Sequence, residues 1–266
     1  AGLNVNTQAA ANPNSSSSLQ VRGATSVSAS NSPLIVIDGV AGGDIRNIAA
    51  QDIESITVLK DAAGTAIYGS QGANGVIEIK TKRGVRGKTK VTYSYAATMT
   101  YQPKGMRMLN GDQYTMLMKE AYYNPELSDA ASDIPEFNYD PSFAEYEHYN
   151  NNTDWVDAVT KVGWLQKHYV TLSGGGEKAA FRISAGYDHQ TGTVIAQELD
   201  RFTTRVALDY FVSDRIKIVT NFNLTYQDNQ KNYSDLLNIA YRKMPNMSIY
   251  EQDAYGNNTP NYYHML

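Results

Sequence analysis

Two glycine-rich segments have the composition of phosphate-binding loops, in which closely spaced glycines let backbone amides surround a phosphate. The first has Gly69, Gly72 and Gly75 at every third position, and the second, residues 174–178, reads GGGEK. Neither contains the Gly-Lys-Ser/Thr sequence at the start of a helix that phosphate binding requires. We therefore interpret both segments as turns rather than as nucleotide-binding sites.

Metal binding and catalysis are equally weakly indicated. The absence of cysteine excludes thiolate metal ligands, thiol catalysis and disulfides. The four histidines lack ligand spacing such as i, i+4 on a helix. A glycosidase needs two carboxyl groups, and one polar segment is acidic, although a solvated surface is the simpler interpretation. Its acidic residues are Asp133, Glu136, Asp140, Glu145 and Glu147. We predict no catalytic residues, no metal site and no cofactor.

Composition restricts the class of protein. The chain has 266 residues and a formal net charge of -4, so it lacks the basic surface that nucleic-acid binding requires. No apolar run approaches the roughly 18 residues of a membrane-spanning helix. The 20 tyrosines are a counter-signal, because membrane barrels combine low average hydropathy with alternating strands and aromatic girdles.

The elements that position these residues begin with a compact α/β unit. Residues 55–60 alternate as a strand, and Asp61 stands at a helix N-cap position. About two turns of helix are expected over residues 62–68, and Gly69 should end them. After the glycine-rich turn, residues 76–82 form a second strand. The apolar run at 34–38, closed by Asp-Gly, predicts a buried strand and a tight turn.

From Lys88 onward the sequence alternates between apolar or aromatic and polar residues, which predicts about five long strands. These segments are 91–101, 168–172, 181–188, 201–212 and 216–227. Tight turns at 173–178 and 213–214 contrast with long loops at 102–165, 191–200 and 228–266. Short turns at one end and long loops at the other are typical of outer-membrane barrels. A helix in the first loop should pack through Tyr114, Leu117, Met118 and Ala121.

Four short segments carry a family resemblance. They read LIVIDG at 34–39, DIESITVLKDA at 52–62, IYGS at 67–70 and ANGVI at 73–77. In this order they resemble the plug domain of SusC/RagA-type, TonB-linked outer-membrane transporters of the Bacteroidetes, although Gln71 stands where that family often has Arg.

The resemblance implies a small mixed α/β plug domain at 1–87, followed at 88–266 by the opening antiparallel strands of a transmembrane β-barrel. A plugged transporter barrel has about 22 strands in the full chain. Five strands cannot close around a domain, and an open edge is untenable in lipid. We therefore expect most of the barrel to lie beyond residue 266, and the resemblance implies further family segments upstream of residue 1.

The implied function is TonB-dependent import of a nutrient, an oligosaccharide or a peptide, across the bacterial outer membrane. The expected partners are a SusD-like surface lipoprotein, the membrane lipid, and TonB through a segment upstream of residue 1. One alternative is a secreted β-rich carbohydrate-binding or adhesin module that uses Tyr and Trp for stacking. Another is an enzyme with a carboxylate pair.

The resemblance also suggests site residues. Ser28, Asn31 and Ser32 occupy the position of a plug loop and are predicted to contact substrate. Arg22 and Arg83 lie at strand ends of the plug, and plug arginines in TonB-dependent transporters can face barrel carboxylates. We predict that both arginines pair with the barrel, because a charge in a partly desolvated interface needs a partner.

Overall fold

The structure is a computed structural model that describes residues 4–7, 13, 17–21, 32–105, 107–126, 141–213, 215–231, 235–253 and 255–263. The chain forms two compact units. The first unit combines residues 1–101 with 162–231, and the second combines 102–161 with 232–266. No helix among the described residues is long and apolar enough to cross a membrane.

The first unit opens with a small domain whose last strand ends at residue 81. Its elements are β1 (Asn4–Thr7), β2 (Ser17–Gln20), β3 (Leu34–Ile37), β4 (Val40–Ala41), two 3₁₀ turns (Ile45–Asn47 and Ala50–Asp52), β5 (Ile53–Leu59), α1 (Ala62–Thr65), a 3₁₀ segment (Ala66–Gly72) and β6 (Val76–Thr81). β1 pairs with β2, and a second sheet has the order β4-β3-β6-β5. Within that sheet β3 and β6 run parallel, and the other pairs are antiparallel.

The core of the small domain is thin and lies on the β3–β6 pair. Val36, Val76 and Ile79 are fully buried, because these central strands have a neighbour on both sides. Asp38 and Gly39 both have positive φ, 49° and 89°, as a tight hairpin between β3 and β4 requires. The predicted strand and turn at 34–39 are thus confirmed.

The predicted helix is only partly formed. α1 is a single α-helical turn, and the chain continues as a 3₁₀ segment in which Gly69 breaks the helical conformation with φ 56° and ψ -141°. Asp61 occupies the N-cap position as predicted, but its side chain makes no capping hydrogen bond. Instead, the Asp61 carbonyl accepts hydrogen bonds from the Thr65 amide at 3.0 Å and from Thr65 Oγ1 at 3.1 Å.

The remainder of the first unit is a five-stranded antiparallel sheet. Its strands are β7 (Gly87–Thr100), β8 (Gly163–Gly175), β9 (Ala179–Thr191), β10 (Glu198–Phe211) and β11 (Lys217–Gln230). Each strand pairs with the next along the chain. Connections 176–178 and 212–216 are short, whereas 101–162 and 192–197 are longer. The strands begin earlier or end later than the alternation suggested, since hydrogen bonding continues past the last apolar position.

The two faces of this sheet differ in polarity. On the outer face the register aligns one aromatic ring per strand in a continuous row: Tyr95, His168, Tyr187, Phe202 and Tyr226. Most large apolar side chains on this face are exposed. The inner face carries polar residues that are buried against the small domain, among them Thr171, Ser184, Arg205 and Asp209. An apolar outer band with an aromatic row is typical of strands that face lipid.

The second unit contains α2 (Gly111–Glu126), α3 (Tyr146–Tyr149), α4 (Trp155–Val159), α5 (Leu236–Arg242) and the hairpin of β12 (Tyr250–Gln252) and β13 (Asn258–Tyr262). The helix predicted in the first long loop is confirmed as α2, and its predicted packing face is partly right. Tyr114 and Met118 are half-buried beside the buried Gly111 and Thr115, whereas Leu117 and Ala121 are exposed. A Cβ on Gly111 would collide with the Asn151 carbonyl, so the smallest side chains define the contact.

The thin core makes the small domain sensitive to truncation. Replacing Ile79 with alanine in the full-length protein should lower the stability of this domain by about 2–5 kcal/mol, because a fully buried side chain leaves a cavity. The measurement is hydrogen exchange of the β6 amides. Ile67→Ala is the matched control, since Ile67 is 79% exposed. Equal loss of protection in both variants would contradict this account of the core.

Candidate functional site

The inner face of the sheet holds the small domain through three charged clusters, and the first is centred on Asp52. This carboxylate is 2% exposed and ends a 3₁₀ turn of the small domain. Asp52 Oδ2 accepts a hydrogen bond from Ser184 Oγ at 2.7 Å, and Oδ1 lies 3.2 Å from Arg182 Nε. The Tyr169 hydroxyl also donates to Oδ1. One carboxylate of the small domain is therefore bound by three side chains from two strands of the sheet.

The second cluster is centred on Asp38, whose carboxylate is oriented by the β3–β4 hairpin turn. Within the small domain it accepts hydrogen bonds from the Thr81 amide at 2.9 Å and from Thr81 Oγ1 at 2.6 Å. Arg205 Nη2 of the sheet lies 2.5 Å from Asp38 Oδ2. Both charged side chains are less than 10% exposed, so each depends on the other for its compensating charge.

In the third cluster the carboxylate belongs to the sheet and the cation to the small domain. Asp209 belongs to the sheet, and its Oδ1 lies 2.9 Å from Arg83 Nη1, just beyond β6. Lys217 Nζ of the neighbouring strand lies 2.9 Å from Asp209 Oδ2. Close by, a Cβ on Gly84 would collide with the backbone of Phe181. Only glycine therefore allows this approach of the two chain segments.

The electrostatics of Asp38 follow from its position. Burial alone would raise the pKa of its carboxyl group, but the hydrogen bonds from Thr81 and the charge of Arg205 outweigh burial and hold that pKa below the ordinary value of 3.8. The ionised form is thus the one that the interface stabilises.

Next to Tyr169 of the first cluster, a cavity of about 240 Å³ lies between residues 45–51 of the small domain and the sheet. The sheet contributes Lys167, Tyr169, Asp188 and Arg201 to its wall. These residues lie near the strand ends that carry the two longer connections. A separate cavity of about 550 Å³ lies wholly within the second unit, between residues 102–110, 152–160 and 240–245.

The structure describes only some of the predicted site residues. Arg22, Ser28 and Asn31 lie outside the described residues, and Ser32 is exposed. Arg83 faces Asp209, a sheet carboxylate, as given above. Its role in retaining the domain stays a prediction, as does substrate binding by Ser28, Asn31 and Ser32.

Sequence reasoning missed Asp38 and Asp52. A usable signal existed, because each carboxylate flanks an apolar strand of a domain expected inside a polar enclosure. The alternation of the sequence places Arg182, Arg205 and Asp209 on the polar face of the strands. Only the strand register shows which side chain each of them contacts.

The segments first considered for chemistry have structural roles. Gly176 lies in the short turn between β8 and β9, where its amide bonds the Ala179 carbonyl at 2.8 Å. His189, Glu198 and Asp200 place three possible ligand atoms within 4.8 Å of one another on adjacent strands. His189 Nδ1 is already 2.9 Å from Asp200 Oδ1, so a hydrogen-bonded pair accounts for this group.

Comparison with known proteins gives a consistent answer. Residues 1–76 match the family described as TonB-dependent Receptor Plug Domain. TonB-dependent receptor P3 of Formosa agariphila is 32% identical over 264 residues, which are 96% of this chain and 24% of the relative. TonB-dependent receptor SusC of Bacteroides thetaiotaomicron is 34% identical over 234 residues, which are 84% and 21% of the two chains.

A solved structure of the RagAB peptide transporter has the same fold, with a TM-score of 0.78 and 24% identity over 99% of this chain and 32% of that chain. The chain spans about a quarter of the length of the curated relatives it matches. The resemblance to SusC/RagA-type transporters, the plug followed by antiparallel strands, and the outer-membrane location are thus confirmed. The small domain is the plug. The matched proteins are named as receptors and transporters, not as enzymes.

The Asp52 cluster should dominate retention of the plug. Asp52→Asn in the full-length protein keeps the shape but leaves Arg182, whose side chain is 14% exposed, without its carboxylate. We expect plug docking to weaken by about 3–5 kcal/mol, measured by hydrogen exchange of plug amides. Asp61→Asn, an exposed carboxylate of the same domain, is the control. Adding Arg182→Gln to Asp52→Asn should restore part of the loss, and strict additivity would contradict a direct pair.

The lowered pKa of Asp38 predicts an acid-sensitive interface. A carboxyl group whose pKa is depressed in the folded state stabilises it above the ordinary value, and this contribution disappears as pH falls through the lower, folded value. Plug docking should therefore weaken progressively below about pH 3.8, as measured by urea unfolding of the full-length protein. The Asp38→Asn variant should lose part of this pH dependence, and an unchanged profile would show that Asp38 is not involved.

Proposed function

We propose that this chain, the plug and first five strands of a SusC/RagA-like TonB-dependent transporter, takes part in energised import of a nutrient across the outer membrane. The plug would close the path at rest and move when TonB pulls on a segment upstream of residue 1. The observation that carries this proposal is the set of three charged clusters that join the plug to the inner face of the sheet.

The chemistry of these clusters suits a removable plug. Buried ion pairs hold two surfaces in one register, yet their net contribution is small because water solvates the separated charges well. A continuous apolar contact would resist separation more strongly, since every exposed Å² of apolar surface costs free energy. The residues that retain the plug are polar on both sides, such as Asp52 against Ser184 and Asp38 against Arg205. This arrangement supports docking that force can reverse.

The proposed partner and cargo are suggested by the relatives of this chain. We propose a SusD-like surface lipoprotein as the partner that captures the nutrient, and an oligosaccharide or a peptide as the cargo. The relatives include SusC and the RagAB peptide transporter. The exposed apolar outer face of the sheet, with its aromatic row, argues against the alternative of a secreted carbohydrate-binding module, because exposing so large an apolar face to water is unfavourable.

Tethering the plug tests this function. Thr225 Oγ1 of the sheet lies 3.2 Å from the Asn47 carbonyl of the plug, and these 266 residues contain no cysteine. In the full-length protein, Asn47→Cys with Thr225→Cys should form a disulfide, verified by mass spectrometry. Cells carrying the oxidised form should lose uptake of the nutrient on which a deletion strain fails to grow, and a reductant should restore it.

The two single-cysteine variants are the controls and should import normally under both conditions. Normal uptake by fully cross-linked protein would contradict a plug that must move for transport.

A further inference from the structure

We propose that the 240 Å³ cavity between the plug and the sheet binds a negatively charged group, a carboxylate or a sulfate, carried by the imported substrate. This inference rests on the proposed transport function and adds the chemical class of the cargo. The cavity wall has two cations that form no ion pair with a described carboxylate, and the cavity touches both bodies that would separate during import.

The charges on the cavity wall do not balance locally. Lys167, Asp188 and Arg201 are cross-strand neighbours on β8, β9 and β10. Among the described residues, no carboxylate oxygen forms an ion pair within 4.0 Å of either cation, although Asp188 lies between them. Both cations are half-buried. The hydrogen bonds and charge of Arg46 hold the pKa of the Asp44 carboxyl group below its ordinary value, and the charge of Arg201 adds to this effect from beyond ion-pair distance. Arg201 is therefore only partly compensated.

Arg201 has a further unmet requirement. Its Nε atom is buried and has no hydrogen-bond partner among the described residues. A guanidinium presents several donors in one plane, which suits a carboxylate or a sulfate that accepts two bonds at once. An anion in the cavity would satisfy this donor and would balance the charge of Lys167 as well.

The remaining cation on the wall is already neutralised. Arg46 of the plug donates to both oxygens of Asp44, with Nη2 2.7 Å and Nε 3.0 Å from Oδ2 and Nε also 3.1 Å from Oδ1. Its charge is therefore compensated within the plug, and the two sheet cations give the cavity its preference. Asp188 is the one acid among the described wall residues, so this part of the wall has an excess of positive charge.

The location of the cavity agrees with a substrate role. It lies near the ends of β8 and β10 that carry the longer connections, which face the outside in bacterial barrels. Tyr169 lines the cavity and also donates its hydroxyl to Asp52. A ligand in the cavity would thus contact a side chain that retains the plug. The volume suits one sugar ring or one terminal residue of a peptide, not a whole oligomer.

The experiment is calorimetric titration of the full-length protein in detergent with three probes: glucuronate, inorganic sulfate and glucose. Glucuronate and sulfate should bind and compete with each other, whereas glucose, the neutral match of glucuronate, should not bind. Binding of glucuronate alone would assign the site to sugar or peptide carboxylates, and binding of sulfate alone would assign it to sulfated cargo. Binding of all three probes with equal affinity, or of none, would overturn the inference.

Variants place the binding in this cavity. Lys167→Met with Arg201→Met should weaken anion binding roughly tenfold or more, because two charge-assisted contacts are lost. Arg242→Met, an exposed residue of the second unit, is the matched control and should bind normally. Asp188→Asn should act in the opposite direction and tighten binding several-fold, since it removes the negative charge between the cations. An unchanged affinity in both cavity variants would contradict the assignment.

These outcomes are separable from failure of the transport proposal. Binding in detergent requires no energy source, so loss of anion binding specificity with intact uptake would overturn only the cavity assignment. Uptake unaffected by the cross-linked plug, with normal anion binding, would overturn the transport function and leave the cavity as an anion site whose ligand is not imported cargo.

Discussion

Burial of carboxylates in an interface between two parts of one chain is the constraint on which this structure depends. Asp52 is 2% exposed, and a charge removed from water requires an opposite charge and hydrogen-bond donors. Among the described residues of the plug none supplies either for the Asp52 side chain, since Arg182, Ser184 and Tyr169 all belong to the sheet. The plug therefore reaches its electrostatic minimum only when docked. This dependence also explains why its apolar core can be thin: part of its stability comes from outside.

The sheet presents an apolar outer face and a polar face towards the plug, and both arise from the same strand geometry. Side chains alternate between the faces of each strand, so a sequence that alternates in polarity produces an apolar face and a polar face. In β9, Ile183 and Tyr187 are on the outer face, whereas Arg182 and Ser184 face the plug. A shift of one residue in register would exchange the two faces. The long antiparallel ladders keep this register, and the ion pairs with the plug depend on it.

Reversible docking and specific docking have the same physical origin here. Two plug carboxylates pair with sheet cations, and one plug cation pairs with the sheet carboxylate Asp209. Together these pairs define one docking position. The same groups are well solvated once separated, which keeps the net docking energy modest. The close approach of Gly84 to the Phe181 backbone restricts the docked position further, but a glycine contributes no side-chain contact. The proposed movement of the plug under force requires this combination of a modest docking energy and a single docking position.

Features that depend on residues close together in the chain can be read from the amino-acid order alone. The alternation gave the five strands and their two faces, the Asp38-Gly39 pair gave the hairpin turn, and the ordered segments between residues 34 and 77 gave the family. Sequence reasoning placed Arg83 at an interface but could not name Asp209 as the residue it meets. Tertiary structure alone decided the pairing of Asp38 with Arg205 and of Asp52 with Arg182, and the cavity beside Lys167 and Arg201. These residues are far apart in the chain, and only strand register and the docking of the plug bring them together.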